Sequence, residues 1–203
     1  MAHAGVSEKV RSVKDRLPAL DATILAVKAG YQLLLKGKTA IDAVERAVNV
    51  MESSGTTNSG KGSVLQTDGR QRMDATIMDS HLNCGAVASM RGFENPISIA
   101  RYIMDRQDGH YFYAHDFAAE LARARGGFKL LDEKPATFRS ENLEGNTVGS
   151  VAFDGTNGLA SGTSTGGRGQ CTAGRIGDSA IIGAGTYCNS AAAVSNKIGR
   201  AHV

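Results

Sequence analysis

Glycine is spread very unevenly along this chain. Of its 25 glycines, 12 fall between Gly145 and Gly185, a stretch of 41 residues out of 203. Each glycine costs conformational entropy on folding. A run this dense therefore marks backbone that must approach another group closely or adopt dihedrals closed to other residues. Hydroxyls are interleaved with the glycines at Thr147, Ser161, Thr163, Ser164, Thr165 and Ser179. One cation and one anion, Arg175 and Asp178, stand three positions apart within it. Taken alone, the segment fits either a set of tight turns or a pocket for a small zwitterion.

The rest of the composition bounds the answer. Hydrophobic residues make up 41% and charged residues 21%, the balance of an ordinary globular domain. No run of about 18 apolar residues exists to span a membrane. A net charge of +3 is too small to argue for nucleic acid, and Lys9, Arg11, Lys14 and Arg16 read as a solvated face. Cys84, Cys171 and Cys188 lie far apart and are odd in number, and the start lacks an apolar signal core. Together these features predict reduced thiols and a cytoplasmic location.

In chain order, Leu20, Ile24, Val27, Tyr31 and Leu34 recur at helical spacing and predict a helix to Lys36 with that stripe buried, ended by Gly37. Thr39 and Asp42 form a capping box that opens a second helix to about Ser53, with Ile41, Val44, Ala47, Val48 and Met51 inward. Gly55 to Gly62 is nearly a phosphate-binding loop, but Gly62 stands where a Ser or Thr would hold Mg²⁺. The stretch also follows a helix and leads into Ser63-Val64-Leu65, a strand-like run. Strands are predicted at Arg72–Asp79, with Met73, Ala75 and Ile77 on one face, and at Cys84–Met90. Asp74 is then either a buried, hydrogen-bonded carboxylate or part of a polar face. Asn95-Pro96 predicts a helix start with Asn as cap. A further helix is predicted over 114–125 with Phe117, Leu121 and Ala124 inward. His110 is read as structural rather than as a general base. Residues 126–144 read as an exposed loop, long enough to suggest a lid, a linker or a processing site.

Thr147-Val148-Gly149-Ser150-Val151-Ala152 resembles the nucleophile segment of the plant-type L-asparaginase / isoaspartyl peptidase family. These N-terminal-nucleophile hydrolases are made as one chain that cleaves itself just before a threonine. The resemblance continues through Thr163-Ser164-Thr165-Gly166-Gly167, Gly174-Arg175-Ile176-Gly177-Asp178-Ser179 and Gly183-Ala184-Gly185-Thr186-Tyr187. Register holds across them: Thr147 to Thr165 is 18 positions and Thr165 to Arg175 is 10. The family's Met-Asp-Ala strand is similar to Met73-Asp74-Ala75, and its glycine loop to Asn58 through Ser63. Thr57, Lys61 and Asn146 depart from the family's usual Phe, apolar residue and Gly.

The resemblance implies an α+β fold, the four-layer αββα sandwich, truncated at its C-terminus. Residues 1–197 would be a single domain: 1–146 an α-chain part with a linker at about 126–146, and 147–197 the start of a β-chain. Ile198 to Val203 reads as a translated sequencing-library adapter and is excluded from fold reasoning. A Thr-Gly segment that supplies oxyanion donors in the family is not in the sequence, so the chain as written is expected to be inactive.

Position by position, the resemblance implies that Thr147 is the nucleophile, freed by cleavage of the Asn146–Thr147 bond with support from Asn58. Thr165 would help carry the nucleophile's proton. Arg175 would grip a substrate α-carboxylate and Asp178 the α-ammonium. The alternative for that last pair is a mutual surface ion pair. The implied substrates are L-asparagine and isoaspartyl dipeptides, with no nucleic acid or membrane partner. Self-association as a dimer of αβ heterodimers is implied too. No organic or redox cofactor is required. The family's structural sodium would be held by backbone carbonyls between Met51 and Lys61, with no metal ligated by side chains. The alternatives are a glycosylasparaginase-like amidase and a non-catalytic homologue that keeps only the fold.

Overall fold

Helix α2, Ala40–Ser54, is the clearest case of local sequence setting local structure. Asp42 N–H donates to the Thr39 hydroxyl, and Thr39 N–H donates to the Asp42 carboxylate. Gly55 ends the helix with a φ of 72°, a left-handed dihedral that glycine takes without strain. Ile41, Val44, Ala47, Val48 and Met51 are all buried, as the spacing predicts. The computed structural model describes residues 1–4, 13–132, 147–156 and 158–196. Residues 5–12, 133–146, 157 and 197–203, and with them Asn146, most of the long loop predicted at 126–144 and the 198–203 segment, lie outside the described residues.

Helix α1, Val13–Leu35, begins earlier than predicted and runs through Pro18. Its predicted buried stripe is wrong. Leu20, Ile24, Val27 and Tyr31 are all exposed, whereas Ala22 and Ala26 are buried. The physical reason is closeness to α2. A Cβ on Gly30 would stand 2.8 Å from the Ala43 carbonyl oxygen, so only small residues fit that seam. Gly37 does follow the helix with a positive φ.

Six strands form one sheet in the order β1-β5-β6-β2-β3-β4. They are β1 (Ala2–Ala4), β2 (Met73–Asp79), β3 (Cys84–Met90), β4 (Phe112–Ala114), β5 (Thr147–Phe153) and β6 (Leu159–Thr165). All pairs are antiparallel except β3 with β4. Strands from either side of residues 133–146 therefore share one sheet, with β5 and β6 inserted beside β1 and β2. Strand β4 is too short and too exposed to show in the periodicity. Ser63-Val64-Leu65 is not a strand: it follows a 3-10 turn at Gly60–Gly62 and contributes only a single bridge, Leu65 to Gln71.

Helix α3, Pro96–Arg106, starts where Asn95-Pro96 predicts, but Asn95 makes no capping bond. Its amide is turned to Glu52 and Ser53, and Glu52 Oε1 takes the Ile97 N–H instead, at 3.2 Å. Helix α4, His115–Arg125, buries Ala118, Ala119 and Ala122 rather than the predicted Phe117 and Ala124; Phe117 is 73% exposed. A two-stranded sheet, β7 (Thr186–Cys188) with β8 (Ala193–Ser195), lies against β2, β5 and β6. The described residues thus form a mixed α+β structure, with helices against one face of the sheet and the small hairpin against the other. Among them, no helix is long and apolar enough to cross a membrane, and all three cysteines are free thiols.

Candidate active site

Strand alternation sorts the two faces of the sheet. On β6, Ser164 points at the helices and donates to Glu52 Oε1 at 2.7 Å. A Cβ on Gly162 would meet Val44 and Ile97. Ser161, Thr163 and Thr165 point the other way: Ser161 donates to the Val194 carbonyl, and Thr163 shares hydrogen bonds with Ser195 and Thr186 in the hairpin. Thr147 is the Cα partner of Thr165 across the β5–β6 pair, and Thr165 is in turn the partner of Asp74 on β2. Directly opposed residues hold their Cβ atoms about 4.5–5.5 Å apart. Thr147, Thr165 and Asp74 therefore form one row across three strands on the hydroxyl-bearing face. Thr147 is 6% exposed and Thr165 4%.

The turn after Thr165 is fixed from below by Asn58. The Asn58 amide donates to the Gly167 carbonyl at 2.6 Å, its Oδ1 accepts the Val64 N–H at 3.0 Å, and its own carbonyl accepts the Gly166 N–H at 2.8 Å. A Cβ on Gly166 would lie 2.5 Å from Asn58 Oδ1 and 2.6 Å from Ser63 Cα, so glycine is needed for that approach. Thr165 Oγ1 accepts the Gly167 N–H at 3.1 Å.

The Arg175–Asp178 segment passes next to the same row. Asp74 accepts the Gly177 N–H on Oδ2 at 3.1 Å and the Ser89 N–H on Oδ1 at 2.8 Å. Of the two readings of Asp74, the buried, hydrogen-bonded carboxylate is the observed one. Burial is the dominant influence on it and pushes its carboxyl above the ordinary value, against the pull of those two N–H groups and of Arg175. Arg175 is exposed, and Asp178 Oδ2 is buried with no hydrogen-bond partner among the described residues. That oxygen is not spent on Arg175, which disfavours the mutual ion pair.

The Glu52 and Glu94 carbonyl oxygens converge on Gly60, each 2.5 Å from where its Cβ would stand. Lys61 has an ionic reason for being where it is, 3.3 Å from a Glu94 carboxylate that also holds Lys129 at 2.9 Å. Glu52 is fully buried, and burial raises its carboxyl to about 8. Among the described residues no three His, Cys, Asp or Glu side chains cluster as metal ligands. His110 stands away from the row, exposed beside Asp108 ahead of β4.

The row therefore brings together Thr147, Thr165 and, through Gly177, the Arg175–Asp178 segment, with Asn58 beneath. Sequence reading missed the hydroxyl chain behind it, in which His3 Nε2 meets Ser195 Oγ at 3.0 Å and Ser195 meets Thr163 at 2.7 Å. Thr163 could have been found as the same-face neighbour of Thr165, two residues back. Ser195 could not, because it arrives from the hairpin.

Comparison with known proteins points the same way. The family model described as Asparaginase matches residues 2–142 and 128–197. A plant-type L-asparaginase of Pyrococcus abyssi is 39% identical over 216 residues, covering 90% of this chain and 68% of that protein. An isoaspartyl peptidase/L-asparaginase of Macaca fascicularis is 40% identical over 198 residues, covering 87% of this chain and 63% of that protein. The protein of the same name from Homo sapiens is 39% identical over 196 residues, with the same two coverages.

Proposed function

Since this chain belongs to the asparaginase family of amide hydrolases, we propose that it hydrolyses the side-chain amide of L-asparagine and the β-aspartyl bond of isoaspartyl peptides, with Thr147 as nucleophile. The observation that carries this reading is the placement of Thr147: first residue of β5, nearly buried, and paired with Thr165 on the hydroxyl face. A threonine hydroxyl is a weak nucleophile and needs a base. A free α-amine on the same residue supplies one, because its pKa lies near about 8. That amine exists only once the Asn146–Thr147 bond is cut.

In the proposed sequence the Thr147 hydroxyl first attacks the Asn146 carbonyl; the Asn146–Thr147 C–N bond breaks, which frees the α-amine and leaves an ester, and water then cleaves that ester to restore the hydroxyl and release the Asn146 carboxylate. It then attacks the substrate's side-chain carbonyl, passing its proton to the α-amine with Thr165 alongside. Collapse expels ammonia, or the amine of a peptide, which leaves with that proton. Water cleaves the β-aspartyl ester and releases L-aspartate. Arg175 would pair two-pronged with the α-carboxylate, as a planar guanidinium can. The unpartnered Asp178 oxygen is suited to the α-ammonium.

The same reading extends to the four-layer sandwich, to assembly as a dimer of αβ heterodimers and to a cytoplasmic setting. A sodium ion in the Met51–Lys61 loop is supported by the carbonyl oxygens gathered at Gly60, which are hard donors. The test is mass spectrometry of the full-length gene product held at neutral pH, with aspartate release assayed on L-asparagine, a β-aspartyl dipeptide and glycosyl-asparagine. Two chains, one starting at Thr147, and turnover of the first two substrates are expected. Preference for glycosyl-asparagine would move the substrate class. A single unsplit, inactive species would leave a homologue that keeps only the fold.

A further inference from the structure

Asp74 ends the row of Thr147 and Thr165 on the side of the Arg175–Asp178 segment, and the reaction as written above does not use it. It is 3% exposed and buried among sheet residues, yet it spends both carboxylate oxygens on backbone N–H groups from two different places. One is Ser89, a non-glycine residue with a φ of 51° at the end of β3. The other is Gly177, the residue just before Asp178. Asp74 is also the register partner of Thr165, which is the partner of Thr147. The charges of Arg175 and Asp178 both act on its carboxyl. On the far side the same segment is braced by Gly185, whose Cβ would come within 2.5 Å of the Asp178 carbonyl oxygen. The segment is thus gripped between a sheet carboxylate and a glycine of the hairpin approach.

We propose that Asp74 is a positioning residue: by accepting the Gly177 N–H it sets the depth and spacing of Arg175 and Asp178 relative to Thr147, and so determines how tightly the α-carboxylate and α-ammonium of an aspartyl substrate are held. The inference rests on the proposed roles of Arg175 and Asp178. A carboxylate can accept both N–H groups at once, whereas an asparagine amide offers one oxygen and presents NH₂ to the other donor. A buried N–H left facing a donor is costly and will move away. Displacements of about 1 Å in a site of this kind cost on the order of 10²-fold. The displaced groups here would be those that bind substrate, not the hydroxyl that reacts. The loss should therefore appear in KM more than in kcat, and self-splitting, which uses no free amino acid, should be spared.

The experiment compares full-length wild type with Asp74→Asn and Asp74→Glu. It measures self-splitting rate by mass spectrometry, KM and kcat for L-asparagine, and L-aspartate affinity by calorimetry. For Asp74→Asn the expected result is splitting within about threefold of wild type, KM and the L-aspartate Kd both raised by about 10- to 100-fold, and a smaller fall in kcat. Asp74→Glu, which keeps two acceptor oxygens, should recover part of the affinity. Unchanged KM and Kd would overturn the inference. So would loss of splitting together with affinity, because that marks Asp74 as a support of the sheet itself. If wild type neither splits nor turns over, the proposed reaction fails separately. The L-aspartate titration of the unsplit chain then decides this inference: weaker binding by Asp74→Asn supports it, and equal affinity or no binding by wild type overturns it.

Discussion

The two faces of the central sheet are built from the same strands and have opposite characters. The helix-facing side carries Ala75, Ile77, Val87, Val148 and Ala160, all fully buried in one apolar cluster with α2 and α3. The hairpin-facing side carries Thr147, Thr163, Thr165, Ser161, Thr76 and Asp74, also buried, and of these Ser161, Thr163, Thr165 and Asp74 are held by hydrogen bonds. Period-two alternation lets a single strand serve both. Residue 77 of β2 stabilises the fold, while residue 74 on the other face meets the candidate site. Burial therefore does not separate core from site in this protein. What separates them is whether the buried group has polar work, and that difference can be broken by substitution.

The largest contrast should come from Thr147→Ala. It removes the proposed nucleophile and should abolish splitting and lower amide turnover by about 10⁴-fold or more, read by mass spectrometry and ammonia release, while the urea midpoint moves little. Ile77→Ala, on the other face, should do the reverse. A cavity in the helix-side cluster costs about 2–5 kcal/mol in urea unfolding, with splitting intact wherever the chain stays folded. If Thr147→Ala unfolded the protein or Ile77→Ala selectively stopped splitting, the division of labour between faces would be wrong.

Glu52 is an exception that sharpens the comparison, since it is a polar group on the helix side. Burial raises its carboxyl to about 8, above the ordinary unfolded value of 4.5, so the folded state holds a proton that the unfolded state releases. Its contribution is fully present below about pH 4.5 and is lost as pH rises to about 8. Glu52→Gln carries no such proton, so the wild type should lose about 2–4 kcal/mol relative to it between pH 5 and 8, by urea midpoints at each pH. A difference that does not change with pH would mean Glu52 is ionised in the fold. The smallest effect is expected at Thr76, whose hydroxyl on the hairpin side is buried without a hydrogen-bond partner among the described residues. Thr76→Val keeps the shape and removes an unpaired group, so stability should hold or rise by about 1 kcal/mol. A fall of that size would mean the hydroxyl has a partner, a water included.

Much of this arrangement is legible in the sequence. The Thr39–Asp42 box and the stripe from Ile41 to Met51 specify α2 because caps and periodicity act within a few residues. The family resemblance puts Thr147, Thr165 and Asn58 forward together, and the fold sets Thr147 opposite Thr165 with Asn58 on the turn that follows. The inward faces of α1 and α4 were misread, because large apolar side chains at helical spacing looked like the core. Close packing of α1 on α2 and of α4 on β3 instead selected Ala22, Ala26, Ala118, Ala119 and Ala122. Which helix comes closest to its neighbour is not a local property. The capping of α3 by Glu52 rather than Asn95 was misread for the same reason.

The sequence by itself determined strands β2 and β3 and their alternation, the ends of α2, and the set of hydroxyl, guanidinium and carboxylate groups available for chemistry. These depend on backbone propensity and on spacing along one segment. Only the tertiary structure decided that Asp74 would reach Gly177, 103 positions away, and that Ser195 would close on Thr163. Hydrogen bonds between distant segments depend on how the sheet, helices and hairpin pack, and that packing is set by all of them at once.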